Sequence, residues 1–236
     1  MCGLFASFNR DVFKKLFVAN SYRGVNNPTV TFINRYDGSQ SQVHTIKDVN
    51  DLDRILDQHS DEYIIGHIQA PTSIDRTRRH PAFETLDYTS GEVICLWHNG
   101  IIKEKSMEDI QKWINEDMDG CKDSFNPGWD TSLLLARFSS CVSFPGLSDF
   151  SPISEIDGSF ACIFYHTSQT SSRLLFFRNS ISPLFFDPST LSISSVKTPE
   201  ASQSVPAGIL NQLNLVSKQC SHFGRFNPSK FCPYEL

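Results

Sequence analysis

The first eight residues, Met-Cys-Gly-Leu-Phe-Ala-Ser-Phe, are apolar almost from the start. Chain ends are ordinarily polar and frayed. An opening like this reads as a buried strand that begins at the first residue, so the amino terminus is expected to be fixed inside the protein. The thiol of Cys2, with Gly3 beside it, would then lie in the interior.

The rest of the chain supplies the apolar surface such a strand needs. Of 236 residues, 39% are hydrophobic, enough to bury a real core, and one domain over residues 1–236 is expected, with the tail after about 218 hard to place. Val49, Leu52, Ile55 and Leu56 recur at helical spacing within 48–58. A second helix is expected to start at Ser106 as cap, with Asp109 at the capping-box position. A third covers 130–138, with Leu133, Leu134 and Arg137 on successive turns. Short apolar runs at 63–68, 92–97, 160–166, 173–178, 184–187, 191–195 and 208–216 read as strands. A long polar loop, containing Pro71 and Pro81, is expected from Ile68 to about residue 90. The strand at 92–97 is expected to end in a turn at His98-Asn99-Gly100, since Asn-Gly is a strong hairpin signal. Strands, then helices, then strands favour an α+β fold with largely antiparallel sheets.

Charge excludes some functions. The formal net charge is -5, and the one basic cluster, Arg76, Arg78 and Arg79, is short, so no nucleic-acid partner is expected. No apolar segment approaches the roughly 20 residues of a membrane helix, and no secretory signal is evident, so no membrane partner is expected either. The seven cysteines are scattered, with no C-x-x-C pair, which suits reduced thiols in the cytoplasm rather than disulfides or zinc. The dispersed histidines suggest no metal site, and no Gly-rich phosphate loop is present. No cofactor is expected.

A cysteine at position two is by itself a small hydrophobe starting a strand. Its other reading is chemical. A residue this small permits removal of Met1, leaving a free α-amine on the residue that carries the thiol. The amine titrates at about 7.7–8.0 and the thiol at about 8.5, so the amine can serve as general base, directly or through water. Gly3 would let substrate approach closely.

Further motifs stand in order along the chain: Tyr22-Arg23-Gly24, Gly66-His67-Ile68-Gln69-Ala70-Pro71-Thr72, His80-Pro81, Trp97-His98-Asn99-Gly100-Ile101-Ile102, Trp129-Asp130-Thr131-Ser132, Asp157-Gly158-Ser159-Phe160-Ala161 and Arg178-Asn179-Ser180-Ile181-Ser182-Pro183-Leu184. With Met-Cys-Gly-Leu-Phe they resemble a class II glutamine amidotransferase domain, of the N-terminal nucleophile hydrolases. They are most similar to the glutaminase domain of glucosamine-6-phosphate synthase, over residues 1 to about 210.

The resemblance implies a four-layer α/β/β/α sandwich of two antiparallel sheets. It implies that Cys2 attacks the side-chain amide of L-glutamine, yielding glutamate and ammonia. Asn99 (side chain) and Gly100 (backbone N–H) would hold the oxyanion, where losing one donor typically costs about 100- to 1000-fold in rate. Asp130 would bind the substrate ammonium, or else simply cap a helix. Arg23 would steady the nucleophile, or else form a surface ion pair. Thr72, His80, Gln69 and His98 would line the substrate pocket, whereas His67 reads as structural. Ammonia would pass to a partner synthetase in trans.

One departure bears on the substrate. The family has an arginine for the glutamine α-carboxylate where this chain has Gln69, and Ala70 and Ser73 also differ from the pattern. Gln replaces neither the charge nor the bidentate geometry of Arg. Three readings follow: Arg76, Arg78 or Arg79 takes the carboxylate; the substrate is another amide; or glutamine binds poorly until a partner docks. A catalytically inactive binding or regulatory module of the same fold is a further alternative.

Overall fold

A computed structural model of the chain describes residues 2–24, 26–40, 44–70, 79–87, 92–118, 125–142, 149–168 and 172–228. In chain order the elements are β1 (Gly3–Ser7), α1 (Arg10–Ser21), β2 (Asn26–Asn34), β3 (His44–Thr45), α2 (Val49–Leu56), β4 (Glu62–Gln69), β5 (Ala82–Asp87), β6 (Glu92–Ile102), α3 (Glu104–Asp117), α4 (Asp130–Val142), α5 (Ser151–Ser154), β7 (Gly158–Thr167), β8 (Ser172–Arg178), β9 (Phe185–Asp187), β10 (Ser192–Ser194), β11 (Gln203–Ser204), β12 (Ile209–Asn214) and β13 (Gln219–Arg225).

The strands form two sheets. One has seven strands in the order β11-β9-β10-β1-β4-β2-β3, the other six in the order β13-β12-β8-β7-β6-β5. Their paired strands run antiparallel.

The two-residue period of a strand sorts side chains between layers. In β1, Leu4 and Ala6 enter the layer between the sheets, with Tyr63 and Ile65 of β4, Trp97 of β6, and Ile163 and Tyr165 of β7. Phe5 points the other way, against Phe13, Leu16 and Phe17 of α1 and above Leu52 and Ile55 of α2. In the six-stranded sheet, Leu96, Phe160, Phe164 and Phe177 face Ile110 and Ile114 of α3 and Leu134 and Phe138 of α4. Three apolar layers therefore separate four layers of secondary structure: helices, sheet, sheet, helices. Each fully buried Leu or Phe contributes roughly 1.5–3 kcal/mol relative to exposure, so these layers outweigh local propensity.

Several sequence expectations hold: α2 begins at its cap Asp48, whose side chain accepts from Asp51 N–H, and α4 starts at Asp130. Others need correction. Ser106 is not the cap of α3; the helix starts after Lys103, and buried Ser106 instead accepts a hydrogen bond from Asp157 N–H at 2.8 Å. The stretch assigned to a loop up to residue 90 contains β5, paired with β6 from Ala82↔Leu96 onward. His98-Asn99-Gly100 is not a turn. β6 runs through it to Ile102, paired with β7 residue by residue.

Helix α1 had no counterpart among the sequence expectations. Its signal was present: Asn9 accepts from Asp11 N–H and Val12 N–H, and Phe13, Leu16, Phe17 and Asn20 make one buried face. The tail's described part contains β13, paired with β12 at the end of the six-stranded sheet. No described helix is long and apolar enough to cross a membrane.

Candidate active site

β1 lies in the middle of its sheet, between β10 and β4. Its first pair is Gly3↔Ile68, so Cys2 comes out of the sheet opposite Gln69. Cys2 is buried, and its Sγ accepts the backbone N–H of Ala70 at 3.5 Å. Burial pushes the thiol pKa above its ordinary value; the Ala70 N–H and the Arg23 charge pull it down, and Asp130 adds to the rise.

Two glycines shape this end of the sheet. A Cβ on Gly24 would lie 2.5 Å from the Gln69 carbonyl oxygen and 2.9 Å from Ala70 N, so Gly24 is what lets the peptide that meets the thiol sit where it does. A Cβ on Gly3 would lie 2.9 Å from Asn20 Cβ. Close packing on α1 therefore requires a glycine at position 3, a constraint separate from the clearance for substrate expected from the sequence. The strand end is tied down by Ser195, whose Oγ accepts Leu4 N–H at 2.9 Å and donates to Asn20 Oδ1 at 3.0 Å. Arg23 donates to the Ser195 carbonyl. That bond holds it against the segment whose Ser195 N–H pairs with the Leu4 carbonyl, next to the strand end that carries Cys2.

Cys2 borders a cavity of about 200 Å³ whose lining also includes Gln69, His80, His98, Gly100, Ile101, Ile102, Met107, Gly128, Trp129, Asp130 and Thr131. Both sheets and the start of α4 contribute. Within β6, His98 N–H is directed at His80 Nδ1, 3.4 Å away, and so away from β7. Two residues on, the period of the strand turns Gly100 N–H the same way. β5 pairs no further along β6 than Leu96, which leaves that edge of Gly100 to the cavity. Gly100 has φ +156°, and a Cβ there would stand 1.8 Å from the Ser159 carbonyl oxygen. β7 is held at that spot by Asn179, which accepts Phe160 N–H and donates to the Gly158 carbonyl at 2.6 Å. The last two motifs, at 157–161 and 178–184, are therefore framework beneath Gly100.

Asn99 alternates with His98 and points into the inter-sheet layer with Trp97. It is fully buried, and neither its Nδ2 nor its Oδ1 has a partner among the described residues. An orphaned buried polar group costs about 1–3 kcal/mol, so native proteins keep few of them. His67 donates from Nε2 to the His98 carbonyl at 3.0 Å and stacks on His80, ring centroids 3.6 Å apart. Burial lowers the pKa of all three imidazoles, to about 3 for His67, and the Asp130 charge only partly offsets this at His98. At neutral pH the cavity wall is thus uncharged at its histidines. His98 Nδ1 is within 3.2 Å of Thr131 Oγ1.

Asp130 opens α4, half-buried, with Oδ1 accepting Thr131 N–H at 2.8 Å. Asp130 is the first residue of the helix, after Trp129, whose carbonyl accepts Leu133 N–H, and it also borders the cavity. Among the described lining residues it carries the one formal charge. Arg79 donates to Thr45 Oγ1 at 2.9 Å and does not line the cavity. Thr72, Ser73, Arg76 and Arg78 lie outside the described residues. Ile101 and Ile102 belong to the motif that starts at Trp97 but were not singled out as lining, and Met107 and Gly128 were missed because α3 and the turn before α4 reach the cavity only through the sandwich. No group of three or more His, Cys, Asp or Glu among the described residues converges as metal ligands.

The architecture matches solved structures. Glutamine phosphoribosylpyrophosphate amidotransferase from B. subtilis, complexed with ADP and GMP, superimposes with a TM-score of 0.67 at 14% identity over 94% of this chain. The chain shares that enzyme's fold. A structure described as the allosteric regulatory enzyme of purine biosynthesis gives a TM-score of 0.70 at 13% identity, again over 94% of the chain. This chain spans 49% of each, so it corresponds to about half of those proteins. No family model and no curated protein sequence matches it. The fold expected from the ordered motifs, an amidotransferase-type sandwich of two antiparallel sheets between helices, is the fold observed.

Proposed function

We propose that the chain is a side-chain carboxamide hydrolase of the glutamine amidotransferase kind, with Cys2 as nucleophile. The observation that carries the reading is one cavity bordered by a thiol, a strand edge with an outward backbone N–H, and a carboxylate: Cys2, Gly100 and Asp130. After removal of Met1, the α-amine of Cys2 takes the thiol proton. The sulfur then adds to the amide carbon. The oxyanion is held by Gly100 N–H and Asn99 Nδ2, whose buried amide has no hydrogen-bond partner among the described residues. The protonated amine passes its proton to the leaving nitrogen, ammonia departs, and water releases the acid from the thioester. Arg23 and the Ala70 N–H favour the thiolate against its burial. Asp130 takes the substrate ammonium.

Ammonia would be delivered to a synthetase partner in trans, as the amidotransferase likeness suggests. A cytoplasmic setting fits the unpaired Cys95, Cys141, Cys162 and Cys220. The test is ammonia release from L-glutamine and glutaminyl compounds by Met-processed protein, with and without co-purifying proteins. Intact mass after a diazo-ketone analogue of glutamine should show one adduct, absent in Cys2→Ala. Activity that survives in Cys2→Ala would sink the reading.

A second reading is favoured by Gln69. With Asp130 the one charge among the described lining residues, the cavity suits an amide other than free glutamine.

A further inference from the structure

Gln69 lines the cavity opposite Cys2, and its Oε1 is buried without a partner among the described residues. An uncapped buried acceptor asks for a donor. A carboxylate has none: both its oxygens only accept. Placed against Gln69 it could accept from Nε2 but would leave Oε1 without a donor, and the Asp130 carboxylate of the same cavity would add a repulsion. A peptide group has the opposite character. Its N–H can donate to Gln69 Oε1 while its C=O accepts from Gln69 Nε2, the paired match of one amide with another. The mouth of the cavity agrees with a ligand that continues outward. Ile101 lines it yet is 54% exposed, an apolar surface the core does not use.

From this we infer that the substrate is a glutaminyl residue with a free α-amine and its α-carboxyl joined in an amide, as at the amino end of a peptide. The inference rests on Cys2 acting as proposed above. Asp130 reads the ammonium, Gln69 reads the first peptide bond, and the following residue lies over Ile101. The step is hydrolytic: the carboxamide C–N bond breaks, a C–O bond forms from water, and ammonia leaves, converting the terminal glutaminyl to glutamyl.

The test compares L-glutamine, the dipeptide Gln-Gly and N-acetyl-Gln-Gly as substrates of the full Met-processed chain, following ammonia and product mass. Gln-Gly should exceed L-glutamine in kcat/KM by about tenfold or more, and the acetylated dipeptide should be hydrolysed poorly. Gln69→Arg should reverse the preference toward L-glutamine. Cys2-dependent hydrolysis that favours free L-glutamine overturns this inference and leaves the nucleophile standing. Hydrolysis of none of the three, with no diazo-ketone adduct on Cys2, overturns both.

Discussion

The backbone N–H of Ala70 meets the sulfur of Cys2 across 3.5 Å, a contact between the ends of two neighbouring strands that are 68 residues apart in sequence. Gly24 keeps it in place by leaving room for the Gln69–Ala70 peptide. In Gly24→Ala the new methyl must displace that peptide, and the thiol loses a donor that opposes the effect of burial. The Cys2 pKa is then expected to rise further. The pH–rate profile of alkylation would shift to higher pH, with a stability loss of about 1–3 kcal/mol. An unshifted profile would show that the contact does not tune the thiol.

Asn99 and Gly100 should separate activity from stability. Asn99 carries two orphaned polar atoms in an apolar layer, so Asn99→Leu removes a cost while keeping volume. Its midpoint in urea should equal or exceed that of the parent, while kcat falls about 100- to 1000-fold. Gly100→Ala should behave in the opposite way. The methyl meets the Ser159 carbonyl, and unfolding measurements should show a loss of about 3 kcal/mol or more.

Acid stability follows from the imidazole trio. In the unfolded chain each histidine binds a proton at about 6.5, whereas burial holds His67 down to about 3 and lowers His80 and His98 as well. Below pH 6.5 the unfolded state therefore binds more protons, and stability falls with pH. The slope is up to about 1.4 kcal/mol per pH unit for each histidine still neutral in the fold. For His67 the loss runs from pH 6.5 down to about 3. Denaturation midpoints between pH 7 and 4 should show it, and His67→Gln should flatten the curve by about one proton. A curve as steep as the parent's would remove His67 from the account.

Asp130→Asn keeps the oxygen that accepts Thr131 N–H but removes the charge. Stability should change by less than about 1 kcal/mol. KM for substrates with a free α-amine should rise by about 10- to 100-fold, the worth of a charged hydrogen bond. An equal rise for N-acetylated substrates would argue against an ammonium site.

Local pattern was enough for much of the architecture. The apolar start of the chain did become β1, the 3.6-residue spacing after Asp48 did become α2, and the ordered motifs pointed to the sandwich that the fold likeness bears out. These are properties of consecutive residues, where period and capping act over a few ångströms. The cavity was less legible. Asn99-Gly100 looks locally like a turn, and only continuous pairing of β6 with β7 makes it part of a strand, with Gly100 on the cavity that Cys2 borders. Stacking of His67 on His80, and burial that keeps both neutral, joins the end of β4 to the residues just before β5, far apart in the pattern. Gln69, on the same cavity as the thiol, has a buried oxygen without a partner among the described residues. Whether a polar atom has a partner, and whether a charge faces it, depends on which sheet lies opposite. Sequence order carries no distance across that layer, so Cys2 as a candidate was readable from the chain and its surroundings were decided by the sandwich.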